Sequence, residues 1–179
     1  MDRPRRAGST VLMALLRTLT LLGATLTMGL MAGVFGIYSL SIMRGLHTTD
    51  DRTFVGAFQA LDRAIVNPVF LATFLGALVL SGGAAALQLG TDQRSVLPWV
   101  AVAFGLYLVV VIITGVVHVP LNDAIKAAGD PDRITDLARV RADFHEVRWM
   151  AWNWVRAVAS GAAFGCLAWA LVLHGRASA

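Results

Sequence analysis

Apolar residues fill four long stretches of the chain, at residues 12–43, 68–89, 97–119 and 149–173. A bilayer crossing takes about 20 mostly apolar residues, so each stretch predicts a transmembrane helix. Arg17 interrupts the first near its start, where a long cationic side chain can snorkel to the interface. The expected fold is all-α: an integral membrane four-helix bundle, one membrane domain over residues 1–179, with amphipathic helical loops after spans one and three. The stretch Thr18 to Met43 is too long for a signal-peptide core and reads as a retained first span.

The connections are unequal. "GTDQRSVLPW" between spans two and three is a turn. In "TTDDRTFVGAFQALDRAIVNP", Asp50 or Asp51 can cap a helix. Phe54, Phe58, Leu61 and Ile65 follow at helical spacing, with Gln59, Asp62 and Arg63 on the other face. Asn67-Pro68 then breaks the chain into span two. In "GDPDRITDLARVRADFHEVRW", Asp130 is a candidate N-cap with Pro131 at the first helical position. No breaker follows before Leu173, which predicts one helix of about 60 Å at ~1.5 Å per residue, its first part rising out of the membrane. Small residues four apart (Gly29 and Gly33, Ala32 and Gly36, Gly161 and Gly165) predict close helix contacts.

Composition agrees with a membrane protein: 57% of the 179 residues are hydrophobic, 15% are charged, and mean hydropathy is +0.68. The net charge of +4 is spread among acids rather than gathered in a stripe, which argues against nucleic acid as a partner. The expected partners are the lipid bilayer and a hydrophobic small molecule, and the small-residue spacing also permits oligomerisation. Cys166 is the single cysteine, so thiol–disulfide chemistry within the chain is excluded. Arg3, Arg5, Arg6 and Arg17 favour cytoplasmic termini on a multi-pass cell-membrane protein. The two long loops on the opposite side hold more Lys and Arg in total, so the rule is followed here through the first helix.

Polar residues concentrate at one end. His145, Trp149, Asn153, Arg156 and Ser160 recur at intervals of three and four, which places them on one face of the predicted helix. Span three ends in "GVVHVPLNDAI", with His118, Asn122 and Asp123. Span two begins just after Asp62, Arg63 and Asn67, and span one ends with Tyr38, Ser39, Ser41 and His47. Antiparallel packing brings all of these to the end of the bundle that carries the two long loops. The other end offers Arg17, Asp92, Arg94 and His174. A charged residue inside an apolar run faces the bundle interior or a wet cavity, so Arg156 needs a partner, which a structural reading would find in Asp62 or Asp123. Structural readings stand beside the functional one throughout. Trp149, Trp152 and Trp154 suit an interfacial aromatic belt, and Asn122 and Asn153 suit interhelical hydrogen bonds. No cofactor is expected. A metal held by His47, His118 and His145 is an alternative without a dedicated ligand spacing.

Four segments, in order, carry a resemblance: "LMAGVFGIYSLSIMRGL", "DDRTFVGAFQALDRAIVNPVF", "VPLND" and "RWMAWNWVRAVAS". Together they resemble the anthrone oxygenase-like family of small four-span membrane proteins, over roughly residues 25–170. Members named for an activity are fungal and oxidise anthrones to anthraquinones, while most bacterial members are uncharacterised. The resemblance implies a cofactor-independent oxygenase acting with dioxygen on a lipophilic aromatic or quinone-like molecule. The recurrent family positions matched here are Asn67, Pro68, Asn122, Trp149, Asn153 and Arg156. Arg44 departs from a common proline, and Asp62 from a common asparagine, which raises the prospect of a direct Asp62–Arg156 pair. On this reading His118 or His145 is the base, Arg156 with Asn153 or Asn122 stabilises an oxyanion, Trp149 and Trp152 stack on the rings, and Asn67 and Asp62 line the substrate site. A non-catalytic scaffold or accessory protein, and a metal- or lipid-binding membrane module, remain the competing classes.

Overall fold

A computed structural model describes residues 3–89 and 95–178, with side chains from 11 to 89 and 95 to 177. Asp92 and Arg94, and the side chains of Arg3, Arg5 and Arg6, lie outside that description. Among the described residues every regular element is a helix. Helix α1 spans Arg3–Ile37, and a π turn at Tyr38–Ile42 joins it to α2, Met43–His47. Then come α3 (Asp51–Ile65), α4 (Pro68–Gln88) and α5 (Leu97–Ile113). A second π turn, Thr114–His118, leads into α6 (Val119–Ala127), α7 (Leu137–Asp143) and α8 (Glu146–Ser178). Among the described residues four helical stretches are long and apolar enough to cross a membrane: Val11–His47, Pro68–Gln88, Leu97–Ala127 and Leu137–Ala177. They match the four predicted spans, and the protein is a membrane protein of four spans.

The four long helices pack as an antiparallel ring in which α1 and α5 each touch α8 and α4. Their shared core is built from Leu21, Met28, Phe35, Phe74, Tyr107 and Leu167, all buried. Leu26, Leu30, Val79 and Val158 point outward, as expected of helices whose outer faces meet acyl chains. Tyr107 would leave a buried hydroxyl, and it donates to the Phe74 carbonyl at 3.1 Å. Of the predicted small-residue contacts only Gly29 makes a close one: a Cβ there would sit 3.0 Å from the Phe164 ring, whereas Gly33, Gly36, Gly161 and Gly165 face open space. At the end of the bundle that holds the termini, Arg17 Nε donates to the Leu87 carbonyl at 3.0 Å, and Thr18 Oγ1 meets His174 Nε2 at 3.0 Å.

The other end carries a cap of short helices around a second core of Met43, Phe54, Phe58, Ile125, Phe144 and Trp149. Asp50 begins α3 by accepting from the Thr53 hydroxyl at 2.6 Å and the Thr53 amide at 3.0 Å. These bonds hold its carboxyl below the ordinary aspartate range. The α3 face predicted as polar is in fact partly interior, with Gln59 and Asp62 both buried. Gln59 Nε2 donates to the carbonyls of Ile125 (2.8 Å) and Gly129 (3.0 Å), tying α3 to the end of α6. Gly129 has φ +91°, a left-handed end to a helix that glycine accommodates without a Cβ clash.

The single long helix expected from Pro131 to Leu173 is broken. Asp130 caps nothing helical; its carboxylate accepts from the Asp132 amide in a turn. The true N-cap is Asp136, which accepts from the Arg139 amide at 2.9 Å. A second break comes at His145, which has φ +52° and separates α7 from α8. Arg141 explains why α7 sits where it does. Its guanidinium donates to the carbonyls of Thr49 (2.8 Å) and His47 (3.1 Å), and also to Asp51 and Glu146. These tertiary bonds override the local helix preference of the sequence.

Candidate functional site

A cavity of about 230 Å³ lies where the bundle meets the cap, bounded by α1, the first π turn, α3, α4, the second π turn, α6 and α8. Its wall is mainly apolar and aromatic: Phe35, Tyr38, Phe58, Phe70, Phe74 and Trp149. Five polar or charged groups beyond Tyr38 also reach it, namely Asp62, Thr114, His118, Asn122 and Arg156. A concave apolar site with a few convergent polar groups is the usual form of a small-molecule pocket.

Arg156 is the chemically unusual member. It is 6% exposed. Nη1 donates to Thr114 Oγ1 at 3.1 Å and Nη2 to Asn153 Oδ1 at 2.5 Å. Nε has no hydrogen-bond partner, and the guanidinium lies 4.4 Å from the Phe35 ring centroid and 5.7 Å from that of Trp149. Among the described residues no carboxylate pairs with it. Asp62, the expected counter-ion, instead binds Lys126 at 2.8 Å, and Asp123 also turns to Lys126, at 3.1 Å. A buried cation held by neutral oxygens and ring faces costs more than one paired with a carboxylate. It leaves positive charge directed at the cavity.

A chain of bonds orders the opposite wall. Lys126 neutralises Asp62, Asn122 Nδ2 donates to Asp62 Oδ1 at 2.6 Å, and Trp149 Nε1 donates to Asn122 Oδ1 at 2.8 Å. The Trp149 indole is thereby fixed edge-on to His118, with ring centroids 4.9 Å apart and planes at 77°. His118 is 1% exposed. The backbone of Ile113 and Trp149 acts on its ring, but neither ring nitrogen has a partner at hydrogen-bond geometry.

The two π turns explain how these groups converge. π-helical turns are rare and recur at functional sites. Here the first contributes Tyr38 to the wall and Ser39 behind it, and the second contributes Thr114 and His118. Asn153 bridges the turns. Its Nδ2 donates to Ser39 Oγ (2.7 Å) and the Phe35 carbonyl (3.0 Å), while its Oδ1 receives Arg156.

Of the nine residues assigned to the site from the sequence, His118, Asn122, Trp149, Arg156 and Asp62 meet in the cavity. Four do not. Asn153 is fully buried behind Arg156 and its amide is consumed by protein partners, so it positions rather than touches. Asn67 is exposed and caps α4: its Oδ1 accepts from the Phe70 amide and its Nδ2 donates to the Ala64 carbonyl, both at 3.0 Å. His145 and Trp152 line a separate open groove on the outside of α7 and α8, because the break at His145 turns it away from the Trp149 face. The histidines do not converge either. His47 pairs with Glu146 at 2.9 Å near the surface, His145 is exposed and His118 is buried. Among the described residues no group of three or more metal-ligating side chains is placed to hold an ion.

Sequence reasoning missed Phe35, Thr114 and Lys126. Thr114 had a readable signal, a hydroxyl four residues before His118 inside an apolar run. Lys126 had another, four residues after Asn122.

Comparison with protein families matches residues 54–166 to the anthrone oxygenase family. The chain belongs to that family. The matched region contains the five convergent groups Asp62, Thr114, His118, Asn122 and Arg156, while the wall formed by Phe35 on α1 and Tyr38 on the first π turn precedes it. No curated protein and no solved structure matches the chain. Membership of the anthrone oxygenase family thus rests on the same segment that builds most of the cavity.

Proposed function

We propose that the protein is a membrane-embedded oxidoreductase that uses dioxygen to oxidise a lipophilic aromatic or quinone-like molecule of the anthrone type. The observation that carries this reading is the Arg156 guanidinium, buried without a carboxylate and facing an aromatic-walled cavity. Such a site is matched to an anion that forms on a flat apolar molecule. The anthrone methylene is a carbon acid whose conjugate base is an aromatic enolate, and a cation beside the developing oxyanion lowers the barrier to its formation.

The reaction needs no electron source beyond the substrate. A base takes one methylene proton, the enolate carbon bonds to dioxygen, and the resulting peroxide takes up the proton. Loss of the second methylene proton with cleavage of the O–O bond leaves a carbonyl and water. The substrate gives up four electrons and one dioxygen is reduced. His118 is the candidate base: its ring lines the cavity beside Trp149, and proton transfer from a neutral substrate to a neutral imidazole gives an imidazolium–enolate pair with no net charge. Trp149 and Phe35 supply faces for the rings, and Asn122 holds Trp149 in place. The cap faces the side of the membrane opposite the termini, with the termini cytoplasmic.

Oxygen uptake with anthrone in nanodiscs tests the reading, with wild type compared against Arg156→Ala and His118→Ala. Uptake above spontaneous autoxidation in wild type, lost in both variants, supports it. Equal rates for all three would sink the assignment and favour a scaffold or accessory role.

A further inference from the structure

We propose that the cavity is loaded sideways from the hydrocarbon of the bilayer, through an opening between the start of α4 and the second π turn with α6, so that its ligand is an uncharged, membrane-dissolved aromatic. This rests on the proposed function for the ligand's identity but not for the route.

Toward water the cavity is closed by cross-linked elements. Gln59 binds the carbonyls of Ile125 and Gly129, Asp62 binds Lys126, and Phe58 packs against Phe144 with centroids 4.5 Å apart and planes at 57°. Among the described residues no such tie crosses the side wall. Its rim is Val66, Leu71 and Val119, which are 54%, 43% and 46% exposed and also line the cavity. The charged side chains of the lining, Asp62 and Arg156, lie behind this rim and are both buried.

Depth decides what the rim meets. Helix α4 has 21 residues, about 30 Å at ~1.5 Å per residue, equal to the ~30 Å hydrocarbon thickness. Pro68 therefore sits near the hydrocarbon boundary. Leu71 lies about 5 Å below it and Phe74 about 9 Å. An opening at that depth faces acyl chains. A charged molecule would pay several kcal/mol or more to reach it, whereas a neutral aromatic and dioxygen both partition there. The buried Arg156 then meets a charge only once the ligand has become an anion inside.

Site-directed spin labelling in nanodiscs tests the route without any turnover. In a Cys166→Ala background, a nitroxide at Val119→Cys is compared with one at Arg133→Cys, an exposed position of the cap. The expected result is strong relaxation by dioxygen and weak relaxation by a water-soluble nickel chelate at position 119, with the reverse at 133. Equal access of the chelate to both positions would overturn the lateral opening. A second arm blocks the mouth. Val119→Trp, or Leu71→Trp should the first fail to fold, lowers kcat/KM for bilayer-delivered anthrone about tenfold or more, while Val69→Trp on the adjacent lipid face does not. Unchanged kcat/KM in a folded blocked variant would refute the route. If the labels behave as expected and wild type shows no anthrone turnover, the opening stands and the oxygenase reading falls.

Discussion

Replacing Arg156 by methionine separates a catalytic from an architectural role, because the two make opposite demands on stability. Methionine keeps the length and apolar stem. It loses two charge-assisted hydrogen bonds, to Thr114 and Asn153, each contributing about 1.5–3 kcal/mol. It also loses a contact with the Phe35 ring that contributes about 0.5–2 kcal/mol. Against this, it removes a buried charge without a carboxylate and with Nε unsatisfied, a desolvation cost of several kcal/mol. The Asn153 oxygen left behind costs a further ~1–3 kcal/mol. The losses come to about 4.5–11 kcal/mol against several recovered, so the variant is expected to be less stable by a few kcal/mol, with a melting temperature lower by roughly 2–4 °C for each. Turnover falls about 10²–10³-fold, the usual loss when a donor to a developing oxyanion is removed. Circular dichroism melts in nanodiscs and anthraquinone formation measured on the same samples read both numbers. A methionine variant that unfolds at ambient temperature, or one that melts normally and turns over at the wild-type rate, would refute the reasoning.

Three further substitutions address other parts of the account. Trp149→Phe keeps the ring contacts with His118 and Phe58 but strands the Asn122 oxygen, so thermal unfolding should show a loss of about 1–2 kcal/mol and turnover should drop. Asn67→Ala removes the cap of α4 and should cost about 1 kcal/mol in the same melts, with kcat unchanged, since its amide serves α4 and not the cavity. Gly29→Val would drive a side chain into the Phe164 ring and should cost about 1–3 kcal/mol, again read by thermal unfolding, while Gly33→Ala at the lipid-facing neighbour should leave the melting temperature in place.

The spans were legible because hydrophobic length is read directly against bilayer thickness, and the observed stretches agree with the expected ones to within a few residues on α4 and α5. Convergence of His118, Asn122, Trp149 and Arg156 was legible too, since it follows from spacing on one helix plus antiparallel packing. What failed was decided by long-range contacts. Arg141 binds groups contributed by residues 47–51, and the chain breaks at His145 to allow it, which a local helical pattern cannot reveal. Asn67 and Asn153 were recognisable as important polar residues, but nothing in their spacing tells a cap or a brace from a substrate contact. The two π turns have no dependable sequence signature, yet they deliver Ser39, Thr114 and His118. Asp62 found Lys126 rather than Arg156, and that choice leaves Arg156 a cation held by neutral partners instead of half of an ion pair.

The most direct test of the central claim is isotopic. Purified protein in nanodiscs is given anthrone under ¹⁸O₂, and product is analysed by mass spectrometry within the initial-rate period. The account predicts anthraquinone carrying one ¹⁸O atom, formed faster than in protein-free nanodiscs, with the excess abolished in Arg156→Met. Product formation no faster than the protein-free background, or an unlabelled product, would contradict it.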